Sequence, residues 1–392
     1  MINVPKAPAD KIFGVLSLFN ADTRANKVSL VSGVYCDETG IVPVLPSVKA
    51  AEAKILETEK SKVYLGIEGD KAYRHNVLSL LLDDSYSSAF DVMQAPGGTG
   101  ALRLVAEFMQ RFLPQSSIWI SNPTWPNHAN VFNACDVDVQ TYRYFDKSSK
   151  TLTFADMMAD LQHAKAEDVI LVHGCCHNPS GADLTLEQGQ QLAELAKAKG
   201  CYVFFDSAYI GFARGLQEDV EIVQHFVAQG LPIFAAVSFS KNFGLYNERI
   251  GALALLIDDA PLVSNIVSQM KAMARANYSN PPAHGAHIVH TVLSDPDLKT
   301  MWQQDLAGMN QRLKDLRATF ANRMTELTGQ DFGYVTHQYG LFSFVNVTPE
   351  QAKALRDDHA VYIVESGRIN IAGLSQHNMK QVCQGLADVL QS

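Results

Sequence analysis

Between about residues 97 and 257 the chain alternates short apolar runs with amphipathic stretches, an order that few folds accommodate. TGALRLVAEFMQRF places apolar side chains at 101, 104, 105, 108 and 112, a stripe with helical spacing. SIWIS (117–121), DVILVHG (168–174), CYVFFD (201–206), PIFAAVSF (232–239) and IGALALLI (250–257) read as strands. Among them, TLEQGQQLAELAKAKG opens on Thr185 as an N-cap, carries Gln188 three residues on, and stops at Gly200. The alternation predicts an α/β fold built on a large, doubly wound, mainly parallel sheet.

Beyond about residue 310 the texture changes. The long amphipathic stretch MNQRLKDLRATFANRMTEL leads to short strands near 341–346, 361–364 and 368–372. TPEQAKALRDD opens a helix with Thr348 as its cap and Pro349 in its first turn. This predicts a smaller α+β layer, which the early segment 13–42 can join. The expected organisation is an N-terminal arm over 1–12, a large domain over 43–310, and a small discontinuous domain made of 13–42 and 311–392.

With 392 residues, 47% of them hydrophobic and 19% charged, the chain can bury the cores of two domains. Its net charge is -9, both signs are spread along it, and no basic block is interleaved with aromatics, so nucleic acid is not an expected partner. An anionic substrate would need a local cationic site. The longest apolar runs reach about eight residues against the roughly 20 that span a bilayer, so no membrane association is expected. MINVPKAPADKIFGVLSLF sets an acidic residue before a short, glycine-interrupted apolar run and does not fit a signal peptide. The cysteines at 36, 135, 175, 176, 201 and 383 are scattered without a C-x-x-C pair, which suits a reducing compartment and a cytoplasmic location.

The residues that follow the strands form an unusual set. FDVMQA leads into Pro96-Gly97-Gly98-Thr99-Gly100 and then a helix. SIWIS leads to Trp125 and His128, DVILVHG to His177 and Asn178, CYVFF to Asp206 and Tyr209, and PIFAAVSF to Ser240 and Lys241. In a parallel sheet all of these share one edge, where ligands of open α/β folds bind. Each has a plain reading as well: a tight turn, a core indole, a strand-end acid, a surface lysine. Gly-Gly-Thr-Gly at a helix start offers backbone N–H groups to a phosphate, but Gly98-Thr99-Gly100 lacks the third glycine of a dinucleotide fingerprint and no Walker lysine follows. His173, Cys175 and His177 share one face of an extended segment. No further ligand cluster accompanies them, so packing is their expected role and no metal site is expected. Jointly, a phosphate cup, an acid for a ring nitrogen, a phenol and an amide for a ring hydroxyl, a stacking indole and an amine fit a pyridoxal phosphate site with a Schiff-base lysine.

SFSKNFGLYNERIG, HGCCHNPSGAD, NPTWPNH, FFDSAYIGFARG, APGGTGALR, ARANYSNPPAHGA and ESGRINIAG resemble the aspartate/aromatic aminotransferases, class I pyridoxal phosphate enzymes of fold type I. The resemblance runs from VYCDETG to the C-terminal helix. It implies pyridoxal 5′-phosphate as cofactor and a homodimer with shared active sites. It also implies transamination between an L-amino acid (aspartate, tyrosine or phenylalanine) and 2-oxoglutarate, by ping-pong aldimine/ketimine chemistry. By the same resemblance Lys241 forms the Schiff base and then moves the proton between Cα and C4′, Asp206 pairs with the pyridine nitrogen, and Tyr209 and Asn178 hydrogen-bond the ring oxygen. Trp125 stacks on the ring, and Gly98, Thr99, Ser238, Ser240 and Arg249 form the phosphate cup, joined by Tyr64 of the partner subunit. Arg368 grips the substrate α-carboxylate, Gly33, Trp125 and Asn178 flank the substrate, and Arg275 of the partner subunit meets a side-chain carboxylate. A guanidinium fork suits carboxylates better than a lysine does.

Val34, Thr99 and Asn280 look like the aspartate type of this family, whereas Val42 and Val63 are apolar where that type tends to be polar, and Cys36 fits neither pattern. The mixture implies an enzyme that accepts both dicarboxylic and aromatic amino acids. Another reaction of the same cofactor, a β-elimination or a decarboxylation, is disfavoured by the two arginines, which suit a substrate with two carboxylates.

Overall fold

The computed structural model describes residues 2–6, 11–82 and 86–391. Its central sheet has seven strands, in chain order β1 (Asp91–Pro96), β2 (Ser117–Asn122), β3 (Asp138–Arg143), β4 (Val169–His173), β5 (Tyr202–Ser207), β6 (Ile233–Ser238) and β7 (Ile250–Leu256). They lie side by side as β1-β7-β6-β5-β4-β2-β3. From β6 to β3 every pairing is parallel, while β7 runs antiparallel to both β1 and β6. The two reversals cancel, so β1 points the same way as the parallel strands. This is the mainly parallel sheet expected from the alternation.

Every residue of β6 and β7 is buried, as near-continuous apolar runs require when helices cover both faces of a sheet. The two-residue period of a strand then divides the core. Val203 and Phe205 of β5, with Ile233, Ala235 and Val237 of β6, face one cluster. Phe204, Phe234 and Ala236 face the other, where helix Gly97–Phe112 lays down Leu104, Val105 and Phe108 beside Met270 and Met273 of helix Ala260–Asn277. Helix Leu186–Lys199 carries the expected capping box at Thr185 and Gln188 and ends on Gly200 with φ 70. The edge strand β3 is absent from the sequence expectations; it is mostly solvent-facing and lacks the uniform apolar run that marks its neighbours.

One early segment pairs with a late one. Val28–Ser29 pairs in parallel with Val361–Tyr362, and Phe342–Phe344 pairs antiparallel with Arg368–Asn370. The late strands are shorter than the sequence suggests. A single helix, Pro296–Thr328, runs 33 residues from its Asp295 cap to Gly329. The boundary expected at 310/311 therefore falls inside an unbroken helix. Residues 1 and 7–10 of the expected arm lie outside the described residues; 2–6 have no regular structure, and a helix begins at Lys11. No described helix is long and apolar enough to cross a membrane.

Candidate active site

Strand direction gathers the site. The carboxyl ends of β1, β2, β4, β5 and β6 emerge at one edge of the sheet, and β7, running the other way, begins there. Arg249, immediately before β7, reaches the edge for that reason. A cavity of about 250 Å³ opens at this edge. Of the residues singled out in the sequence, Gly33, Gly98, Thr99, Trp125, Asn178, Asp206, Tyr209, Ser238, Ser240, Lys241, Arg249 and Arg368 line it.

One end of the cavity is a cup. Helix Gly97–Phe112 starts here, so its first N–H groups and the positive end of its dipole point outward. Gly97 has φ +70, and a Cβ on it would meet the Arg249 guanidinium at 2.6 Å; a Cβ on Gly98 would meet Ser238 at 3.4 Å. Glycine thus lets backbone, guanidinium and hydroxyl approach one another closely. Ser238 Oγ donates to Ser240 Oγ at 3.2 Å, and Arg249 Nη1 donates to the Tyr246 carbonyl at 3.2 Å. Hydroxyls, backbone N–H groups and a cation around a helix start are a phosphate-binding donor set.

The middle of the cavity holds an amine, an acid and a phenol. Lys241 Nζ lies 5.0 Å from the centre of the Tyr209 ring. Burial draws its pKa below the ordinary lysine value; the Asp206 charge opposes this and the Arg249 charge adds to it. The buried Asp206 carboxylate accepts at 3.0 Å from His128 Nε2, and His128 Nδ1 pairs with Thr124 Oγ1 at 2.8 Å. Burial alone would push Asp206 up, but the His128 hydrogen bond and nearby positive charge outweigh it, and the group sits below the usual carboxylate range. Burial lifts the Tyr209 phenol well above its ordinary value, so it stays protonated. Trp125 meets the His128 ring edge-on at 5.3 Å.

The far end carries a cation. The buried Arg368 guanidinium lies 4.2 Å from the centre of the Phe342 ring. Nη2 donates to the Val31 carbonyl at 2.7 Å, Nη1 lies 3.5 Å from Asn178 Oδ1, and Nε is buried without a partner. Burial brings its pKa down to about 10, still a cation at neutral pH. A Cβ on Gly33 would meet Phe342 at 3.1 Å, so this wall has no room for a larger residue without adjustment.

Tyr64 and Arg275 lie elsewhere, outside the lining of this cavity. Tyr64 is 87% exposed. Arg275, also exposed, hydrogen-bonds Ser279; Ser279 pairs with Asn280, and Asn280 Nδ2 donates to the Leu65 carbonyl at 2.8 Å. One surface patch therefore holds both residues, together with the exposed Val63.

The His173 ring meets the His177 ring edge-on at 4.4 Å, in keeping with the packing role expected of this segment. Among the described residues, the ligand atoms of His128, His173 and Asp206 lie within 4.8 Å of one another, all buried. Both ring nitrogens of His173 are buried without a partner, and burial pushes it down to about 3, a neutral ring at all ordinary pH. Ile12, Leu102, His173, Ala208 and Phe342 also line the cavity without having been singled out as site residues. Apolar residues of this kind read as core in a sequence, and nothing in the spacing links His128 to an acid 78 positions away.

The fold and the cavity together define a lysine-centred α/β enzyme of the aminotransferase kind. The aminotransferase class I and II family model matches residues 25–386, and the chain belongs to that family. It is 48% identical to an aspartate aminotransferase of Salmonella typhi, covering 99% of both chains. It is 40% identical to an aromatic-amino-acid aminotransferase of Paracoccus denitrificans, covering 98% of both. Among solved structures, the aromatic-amino-acid aminotransferase of Burkholderia pseudomallei, covalently bound to pyridoxal phosphate, superimposes with a TM-score of 0.96 at 38% identity, covering 99% of this chain and 98% of that one.

Proposed function

We propose that this chain is a pyridoxal phosphate-dependent transaminase that moves the amino group of L-aspartate, and of aromatic L-amino acids, to 2-oxoglutarate. The observation that carries the reading is one cavity holding the Lys241 amine, the Asp206 carboxylate and the Arg368 guanidinium beside the glycine cup. The residues fit the cofactor. The helix start with Gly98, Thr99, Ser238, Ser240 and Arg249 would hold its phosphate, Asp206 its ring nitrogen, Tyr209 and Asn178 its ring oxygen, and Trp125 its face. Bound there, pyridoxal phosphate supplies a carbonyl carbon that condenses with amines and a ring that withdraws electrons from the carbon bearing the nitrogen.

The protein's part is positioning and proton handling. Arg368 binds the α-carboxylate through its buried fork and so fixes the Cα–H bond toward Lys241. Lys241, with its lowered pKa, can take up the Cα proton at Nζ and return it elsewhere. Asp206 remains ionised and keeps a proton on the group it faces, with His128 holding the carboxylate in place. Tyr209 donates its O–H, because burial prevents its ionisation.

The surface patch with Tyr64 and Arg275 supports a homodimer in which each subunit completes the other's site. Tyr64 of the partner subunit would join the phosphate cup, and Arg275 of the partner subunit would meet the distal carboxylate of a dicarboxylic substrate. The large domain then comprises 43–310 and the small one 13–42 with 311–392, the long helix Pro296–Thr328 bridging them. Six free cysteines support a cytoplasmic location. Steady-state kinetics with aspartate, tyrosine and phenylalanine against 2-oxoglutarate tests the reading: measurable turnover of both classes is expected, and absence of transamination with all three contradicts it.

A further inference from the structure

We propose that Lys147 is a positioning residue for Arg368, setting the affinity of the site for substrate carboxylates. The inference rests on the reading of Arg368 given above. Lys147 sits in the hairpin Phe145–Asp146/Thr151–Leu152, which follows the edge strand β3 in the chain. Its Nζ donates to the Ser366 carbonyl at 2.9 Å and lies 4.4 Å from the centre of the Phe344 ring. Both targets belong to the substructure that presents Arg368. Ser366 is in the turn that leads into strand Arg368–Asn370, and Phe344 is the residue directly opposite Arg368 in the antiparallel pair. Phe145, two residues before Lys147, stacks on the same Phe344 ring at 5.9 Å.

The arrangement matters because Arg368 has few anchors of its own. Its guanidinium is held by the Phe342 ring at 4.2 Å and by one close hydrogen bond, to the Val31 carbonyl; its approach to Asn178 is 3.5 Å, and Nε has no partner. The backbone entering Arg368–Asn370 therefore sets where the guanidinium lies relative to Lys241, and Lys147 ties that backbone to the two-stranded hairpin that follows β3. An ammonium does this twice over, as a donor to a carbonyl and as a cation on an aromatic face.

The test uses the pyridoxal phosphate holoenzyme. Lys147→Met keeps the aliphatic stem and removes donor and charge; Lys147→Arg keeps both. Lys147→Met is expected to raise KM for the amino donor and for the 2-oxo acid by roughly threefold to tenfold, with kcat within about twofold of wild type. The Kd of glutarate, which has two carboxylates and no amine, should rise by the same factor in calorimetric titration. Lys147→Arg should restore both, and Tm should stay within a degree or two of wild type. Unchanged KM and Kd in Lys147→Met overturn the inference, as does a joint fall of kcat and Tm that Lys147→Arg does not restore. Arg368→Lys is run alongside. If it binds glutarate as wild type does, the assignment of Arg368 fails and takes the inference with it. If it binds weakly while Lys147→Met is unaffected, the inference alone fails.

Discussion

His128 Nε2 stands 3.0 Å from Asp206 Oδ2, and the other nitrogen of the same ring is engaged by Thr124 at 2.8 Å. The ring is thus fixed from both sides, and the carboxylate it holds faces the cavity. Asp206→Ala should lower kcat by at least about two decades, because the acid acts directly on the group it faces. His128→Ala should cost no more than about tenfold, since water can take the vacated hydrogen bond. Equal losses in the two variants, measured by single-turnover kinetics, would mean that His128 does more than hold the acid.

His173 makes stability acid-sensitive. Burial pushes its pKa from 6.5 to about 3, so the unfolded chain takes up the proton first. Its contribution is intact above pH 6.5 and falls as the pH drops from there toward 3. At pH 5 the loss is about 2 kcal/mol relative to neutral pH. His173→Phe should flatten that part of the profile. Unfolding free energies of both proteins at pH 7 and pH 5 check it; an unchanged slope in the variant would assign the acid sensitivity to other groups.

Sharing of the site can be tested by mixing. Lys241→Ala and Arg275→Ala are each expected to be poor with aspartate. Random heterodimers of the two would hold one doubly damaged site and one intact site. Activity toward aspartate should therefore recover on mixing. No recovery despite demonstrated subunit exchange would count against a shared site.

Substrate choice should divide on charge. Arg275→Leu is expected to lower kcat/KM for aspartate by about two decades while changing phenylalanine little, because only the dicarboxylate needs a distal cation. Val63, 76% exposed and next to Tyr64, offers an aromatic side chain an apolar contact from the same patch. Equal losses for both substrates would show that Arg275 supports the structure instead.

Much of this was legible in the chain, for a physical reason. Strand carboxyl ends share one edge, so Gly98, Trp125, Asn178, Asp206 and Lys241 could be brought together from the order of apolar runs alone. Arg249 could not be placed that way, because its arrival depends on the reversal of β7, and apolar patterning carries no strand direction. The His128–Asp206 pair was equally hidden, since a buried hydrogen bond between residues in different segments leaves no periodic trace. Phe342 reads as core because it is core; its place under Arg368 is a matter of register. The junction near 310 was read from a change of texture, whereas a 33-residue helix crosses it unbroken.

On the proposed reading, Lys241, and no other lysine, supplies the amine that holds the cofactor. Borohydride reduction of the holoenzyme followed by peptide mass mapping tests it directly. The phosphopyridoxyl mass is expected on the peptide containing SFSKNFGLYNER, at Lys241, and is expected to be lost in Lys241→Ala. The label on a different lysine, or no label on a protein saturated with pyridoxal phosphate, would contradict it.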